Sequence, residues 1–317
     1  MILTVTPNPA LDLTWRVDRL VAGGTHRTDT GASRAGGKGL NVARVAHAEG
    51  ASVLALTTAG GPVGAEFAAE LTASGVPHVL VPVAADTRRS IALVDEAAGD
   101  TTIVNERGVN PTDAEWGGLL AEIVDRLPGA GVLVVSGSLP PGAPESLVPM
   151  LVAVGADARV PVIVDTSGPA LLRAADAGAT VLKPNAAELA EATGIDDPVE
   201  GARSLLARGA ELVLLSLGAP GQQRPGPGVD QRCCHRTNSV DDLFGLTFVG
   251  EAGKSNGEGK SSGQLRRNLR KRWELQKGDR GGTVPGKIGA PVQPGVCNRP
   301  CICAVEIERA AVEVSDG

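Results

Sequence analysis

A doubly wound α/β fold on a mainly parallel sheet is predicted by three features of roughly the first 220 residues. Short β-branched runs alternate with amphipathic helical stretches, the signature of successive strand–helix units. Runs such as Val132-Leu133-Val134-Val135 and Val162-Ile163-Val164 are continuously apolar, as strands covered on both faces require. Glycine-bearing turns follow several strands and open the next helix, as at Ala35-Gly36-Gly37-Lys38-Gly39.

Taken in order, the apolar and β-branched runs predict strands at Ile2–Thr6, Ser52–Thr57, Val79–Val83, Ser90–Asp95, Thr101–Val104, Gly131–Ser136, Pro161–Asp165, Thr180–Leu182 and Leu212–Ser216. Between them, helical patterning covers Gly39–Glu49, Gly64–Ser74, Asp113–Arg126, Pro144–Gly155, Pro169–Ala175, Asn185–Thr193 and Val199–Arg208. Two places lack an intervening helix. Leu13–Val17 with His26–Gly31, and Ser90–Asp95 with Thr101–Val104, read as hairpin-like pairs forming a small second sheet over one edge. The expected division is therefore a core at 1–221, with a lid drawn from about 12–31 and 87–105, and an atypical segment at 222–317.

That last segment differs in composition. Pro220 to Gly228 is a run of helix and strand breakers, Ser239–Gly263 is rich in Gly and Ser, and Arg266–Lys277 is strongly basic. Between Pro220 and Pro300 the only alanines are Ala252 and Ala290, and all five cysteines (Cys233, Cys234, Cys297, Cys301, Cys303) fall after position 230. Such a stretch is expected to be disordered, and a frameshift, a fusion or an inserted element would each leave this mark. A zinc site, a P-loop or a nucleic-acid contact in this segment is disfavoured by cysteine spacing, by Phe248 in place of the first P-loop glycine, and by the ordinary solvation of charge runs.

A net charge of −6 and only 2% aromatic residues exclude a surface that attracts nucleic acid or stacks its bases. No apolar run approaches the length of about 20 residues that spans a bilayer, and the first residues do not read as a signal peptide. No nucleic acid, no membrane and a cytoplasmic location are the expectations. Lys38 and Lys183 are the only lysines before position 250 in a chain that otherwise uses arginine.

Several strand ends carry polar groups able to meet a ligand. The glycines around Lys38 let backbone amides approach an anion at a helix start, although an ordinary strand–helix connection reads the same way. Asn8 and Asp12 sit at and just beyond the first strand, where open α/β sheets bind ligands and where turn residues are also common. Arg88 and Arg89 enter the lid and suit a phosphate clamp or a solvated surface. Ser136-Gly137-Ser138 follows a buried strand. Asn185 and Glu188, three apart at a helix start, suit either a hydrated Mg²⁺ or a capping box. Ser216-Leu217-Gly218-Ala219-Pro220-Gly221 offers a glycine-lined surface after the last strand.

In chain order, TPNPALD (6–12), AGGKGLNVA (35–43), TRRS (87–90), SGSLPPG (136–142), VDTSG (164–168), KPNAAEL (183–189) and SLGAPG (216–221) resemble the PfkB branch of the ribokinase-like carbohydrate kinases. The first two are most similar to the 1-phosphofructokinase and tagatose-6-phosphate kinase group. The resemblance implies a ribokinase-like sheet with a β lid and a sugar pocket containing Asn8, Asp12, Gly37, Lys38, Asn41 and Ser138. It implies Arg88 at the substrate phosphate, a magnesium element of Asn185 and Glu188, and Lys183, Ser216, Gly218 and Gly221 toward ATP. The implied reaction is ATP- and Mg²⁺-dependent phosphorylation of a ketohexose phosphate, fructose 1-phosphate to fructose 1,6-bisphosphate first, in a chain that pairs with a second copy through the lid.

One departure stands against full activity. The family's Gly-Ala-Gly-Asp motif, whose amides form an anion hole and whose Asp takes the hydroxyl proton, is absent. Val249-Gly250-Glu251-Ala252-Gly253-Lys254 has its glycine rhythm but no Asp at the needed place. Impaired turnover is therefore expected, with a sugar-phosphate-binding remnant or fusion product as the alternative.

Overall fold

The computed structural model describes residues 1–216 and 246–249. Its elements run β1 (Ile2–Thr6), β2 (Ala10–Val17), β3 (Ala32–Gly36), α1 (Lys38–Ala48), β4 (Val53–Ala59), α2 (Gly61–Ala73), β5 (His78–Pro82), β6 (Arg88–Asp95) and β7 (Asp100–Asn105). There follow α3 (Asp113–Arg126), β8 (Val132–Ser136), α4 (Leu147–Asp157), β9 (Val162–Asp165), α5 (Pro169–Asp176), β10 (Val181–Leu182), α6 (Ala186–Thr193), α7 (Pro198–Arg208), β11 (Leu212–Ser216) and β12 (Leu246–Val249).

Eight strands form the main sheet in the order β12-β11-β10-β9-β8-β1-β4-β5. Every pairing within it is parallel except β11 with β12. From β1 the chain first builds outward through β4 and β5, then returns to β8 and builds the other way. The order therefore reverses between β1 and β8, and a ligand crevice is expected beyond the carboxyl ends of those two strands.

The sheet divides two apolar layers, as strands buried on both faces dictate. Leu133 and Val135 of β8 face the core packed by α3 to α7, while Val132 and Val134 face the core packed by α1 and α2. Phe67, Leu40 and Leu71 fill the second layer with almost no exposure. Helix starts follow local chemistry. The Thr112 hydroxyl accepts from Glu115 N while a Glu115 carboxylate oxygen accepts from Thr112 N, a capping box that opens α3. Gly37, at φ +121°, opens α1 with a conformation that side chains rarely adopt.

The lid is a second sheet in the order β3-β2-β6-β7. The expected strand at His26–Gly31 is not there; β3 is Ala32–Gly36, paired antiparallel to β2 with Asp12 opposite Arg34. The physical reason is an anchor that fixes Ala35. Glu70 of α2 accepts from Ala35 N at 2.7 Å, and Arg44 of α1 donates to Ala35 O at 3.1 Å while pairing with Glu70 at 2.6 Å. The lid thus begins at residue 10 and uses residues up to 36, not 12–31, and β2 pairs with β6 in parallel. Helix α4 starts at Leu147 instead of Pro144, because Leu147 N closes a turn onto Pro144 O first.

In the C-terminal third, β12 adds an antiparallel edge strand to β11, which composition did not foretell. The cysteines, the basic stretch at 266–277, and Gly218 and Gly221 lie outside the described residues. Among the described residues, no helix is long and apolar enough to cross a membrane.

Candidate active site

The polar strand ends converge at the switch point. Asn8 follows β1 and Ser138 follows β8, and Asn8 Nδ2 donates to Ser138 Oγ at 3.3 Å and to the Arg107 carbonyl at 3.1 Å. Asn8 is buried, which leaves its position fixed by these bonds. Gly108, at φ +85°, passes so close that an added Cβ would lie 2.5 Å from Asn8 Oδ1.

Arg88 reinforces the same loop. Its Nε and one terminal nitrogen donate to Asn8 O at 3.3 and 3.2 Å, and the other terminal nitrogen donates to Glu106 O at 3.0 Å. Three of the five guanidinium N–H groups thus hold main chain, and two remain for a ligand. Burial lowers the Arg88 pKa from its ordinary value, opposed by Asp12 and Glu106. Asp12 sits on β2 against Gly36, where a Cβ would overlap its carboxylate. Burial raises its pKa above the ordinary 3.8, although Arg88, Arg34 and a hydrogen bond from Ser90 pull the other way.

On the opposite side of β8, the charged groups form one cluster. Lys38, the first residue of α1, places Nζ 3.0 Å from Glu188 Oε1 and 3.3 Å from Asp165 Oδ1. Lys183 reaches the other oxygen of Asp165 at 3.2 Å. Burial works against the charged form of Lys38, but Asp165 and Glu188 outweigh it and hold its pKa above the ordinary value. Gly137, at φ +125°, lies against the Lys38 backbone, so the turn after β8 and the start of α1 touch. Asn41 is one turn further along α1, with its amide N–H on Gly37 O at 3.0 Å.

Asn185 caps α6: its Oδ1 accepts from Glu188 N at 2.8 Å, and Glu188 Oε2 accepts from Asn185 N at 3.0 Å. The capping box foreseen as one option is therefore formed. It leaves the second Glu188 oxygen, Oε1, for Lys38. Ser216 ends β11 beside this turn, with a parallel bridge to Asn185 and its N–H on Pro184 O at 3.2 Å.

Asn8, Ser138, Gly37, Lys38, Lys183, Asn185, Glu188 and Ser216 thus lie along the carboxyl edge of the main sheet, while Arg88 and Asp12 belong to the lid strands β6 and β2. The residue that sequence reasoning passed over is Asp165. It is 7% exposed and closes β9. The signal was present: a carboxylate ending the apolar run Val162-Ile163-Val164 at a strand's carboxyl end. No group of three or more His, Cys, Asp or Glu able to hold a metal exists among the described residues. Mg²⁺ typically keeps several waters and takes one or two carboxylates plus substrate phosphates, and Glu188 beside Asn185 supplies a carboxylate of that kind.

A doubly wound sheet with a β lid, and with lysine–carboxylate groups gathered at the carboxyl ends of β9 and β10, defines a ribokinase-like α/β protein. The chain belongs to the pfkB family of carbohydrate kinases, whose model matches residues 8–223. It is 42% identical over 227 residues to the 1-phosphofructokinase of Haloferax volcanii, covering 70% of this chain and 72% of that protein. It is 32% identical over 308 residues to the ATP-dependent 6-phosphofructokinase isozyme 2 of Mycobacterium tuberculosis, covering 94% of this chain and 86% of that one. That alignment extends past residue 221. Among solved structures, the tetrameric inhibited form of phosphofructokinase-2 from Escherichia coli matches with a TM-score of 0.63 at 31% identity, over 68% of this chain and 73% of the other.

Proposed function

We propose that this chain binds a ketohexose phosphate, fructose 1-phosphate foremost, together with ATP and Mg²⁺, and is built for transfer of the γ-phosphoryl group to a sugar hydroxyl. The observation that carries the reading is the Lys38 ammonium, bonded at once to Asp165 and to Glu188. It joins the end that holds Asn8 and Ser138 to the end that holds Asn185 and Ser216.

In this reading Asn8, Asp12, Asn41 and Ser138 grip sugar hydroxyls, and the amides around Gly37 with Lys38 draw the anionic end. Arg88 keeps Asn8 in place and uses its remaining donors on the substrate phosphate. Lys183, Asn185, Glu188 and Ser216, with Gly218 and Gly221, serve the nucleotide, and Asn185 with Glu188 would hold Mg²⁺ through water. The metal, when bound, neutralises phosphate charge during transfer. The lid pairs two copies through β7, an edge strand with Ile103 and Val104 exposed. The site of action is the cytoplasm.

Turnover is impaired, because the sequence contains no Gly-Ala-Gly-Asp segment to form the anion hole and remove the proton. A second reading follows from the same absence: a sugar-phosphate-binding remnant without chemistry. Thermal melts and a coupled ADP-release assay, run with fructose 1-phosphate, tagatose 6-phosphate and fructose 6-phosphate, test both parts. A saturable rise in melting temperature with at least one sugar phosphate and near-background ADP release is the expected result. No rise with any of the three would overturn the ligand assignment, and robust ADP release would overturn the impairment.

A further inference from the structure

We propose that Asp165 is a positioning residue that holds both site lysines through one carboxylate, so that the sugar side and the nucleotide side of the pocket share a single anchor. The inference rests on the ligand assignment above and goes beyond it by assigning Asp165 a role.

Each carboxylate oxygen takes one lysine, Oδ1 with Lys38 at 3.3 Å and Oδ2 with Lys183 at 3.2 Å. Ser136 Oγ adds a hydrogen bond to Oδ2 at 3.4 Å, and Gly137 N donates to the Asp165 carbonyl at 2.9 Å. The anchor is thereby tied to both β8 and β9. Its side chain is 10% exposed, whereas those of Lys38 and Lys183 are 47% and 21% exposed. The fixed group lies inside and the groups it aims reach outward.

Charge accounts for the pairing. A carboxylate this buried is unfavourable without a cation, and two ammoniums this close repel without a carboxylate between them. Removing the charge of Asp165 therefore frees Lys183 and leaves Lys38 drawn to Glu188 alone, which shifts both ammoniums. Residue choice agrees. The only lysines before position 250 are the two that share Asp165, in a chain that uses arginine elsewhere. A compact ammonium with rotatable donors can turn from an internal carboxylate to an incoming phosphate more readily than a planar fork.

The test is calorimetric titration of fructose 1-phosphate and, separately, of Mg·ATP into wild type, Asp165→Asn, Lys38→Met and the double variant. Asp165→Asn weakens both ligands, each by about tenfold. In the Lys38→Met background, Asp165→Asn has no further effect on fructose 1-phosphate yet still weakens Mg·ATP through Lys183. An Asp165→Asn effect on the sugar phosphate that persists undiminished without Lys38 would mark a general structural role and overturn the proposal. So would unchanged affinity for either ligand. Wild type that binds neither ligand overturns the functional reading and this inference together, whereas wild-type binding with an inert Asp165→Asn overturns this inference alone. If Asp165→Asn melts too low to titrate, Asp165→Asn combined with Lys183→Met is predicted to melt higher than Asp165→Asn, since among the described residues the Lys183 ammonium pairs with Asp165 alone and would be left uncompensated. Failure of that restoration would equally overturn it.

Discussion

The Lys38 ammonium lies 3.0 Å from Oε1 of Glu188, although 150 residues separate the two in the chain. The other Glu188 oxygen is already committed to the Asn185 N–H at the start of α6. One carboxylate therefore does two jobs, a helix cap on one side and a charge partner on the other.

Those jobs separate by mutation. In Glu188→Gln the amide oxygen can still accept from Asn185 N, so stability falls by less than about 1 kcal/mol, while Mg·ATP affinity falls by about tenfold or more. Asn185→Ala removes the cap acceptor itself and lowers stability by about 1 kcal/mol. Urea melts alongside nucleotide titration check the pair. Equal effects of both variants on affinity and stability would contradict the division.

Arg88 is predicted to act on the lid before it acts on any ligand. Arg88→Met leaves the carbonyls of Asn8 and Glu106 without their donors and destabilises by about 1–3 kcal/mol. The neighbouring Arg89 is exposed and contributes its backbone N–H, not its guanidinium, to Glu106. Arg89→Met should stay within about 0.5 kcal/mol of wild type. Denaturant titration of the two variants gives the comparison, and equal midpoints would refute it.

Asp12 illustrates a functional group held at the expense of stability. Its folded pKa is raised above 3.8, so the folded chain binds this proton more tightly than the unfolded chain does. Folding is then penalised above the folded pKa, and the penalty fades as pH falls toward and below 3.8. Asp12→Asn is predicted to melt higher than wild type at pH 7, by a few degrees at most, with the difference shrinking in acid. The same variant should bind fructose 1-phosphate at least tenfold more weakly. A lower melting temperature at pH 7 would contradict the sign.

The lid edge gives a prediction about assembly. Ile103 and Val104 of β7 are 59% and 56% exposed, an apolar pair on a strand edge that is unpaired among the described residues. If β7 pairs two copies, Ile103→Lys with Val104→Lys shifts the mass from dimer to monomer in light scattering. A mass that does not change would exclude pairing through this strand.

Much of this was legible in the sequence because the signals were local. β1 and β11 fall at Ile2–Thr6 and Leu212–Ser216 as the apolar runs imply, and α3 spans Asp113–Arg126 as its periodicity implies. The Asn185–Glu188 spacing carried the α6 cap by the same logic. What escaped depends on partners distant in sequence. Ala-Ser-Arg-Ala-Gly has no β-branched residue, and it becomes β3 only because Arg44 and Glu70 pin Ala35 beside β2. Asp165 looked like a strand end, since nothing within a few residues shows that Lys38 and Lys183 meet there. The sequence shows the charge of Arg88 but not the two carbonyls, of Asn8 and Glu106, that its guanidinium also serves.

The most direct measurement is calorimetric titration of fructose 1-phosphate into the wild-type chain and into Lys38→Met. If the groups at the ends of β1, β8, β9 and β10 form one sugar-phosphate pocket, wild type shows a single saturable site and Lys38→Met binds at least tenfold more weakly. Wild type that takes up no fructose 1-phosphate, or a Lys38→Met variant that binds it as tightly as wild type, would contradict that pocket.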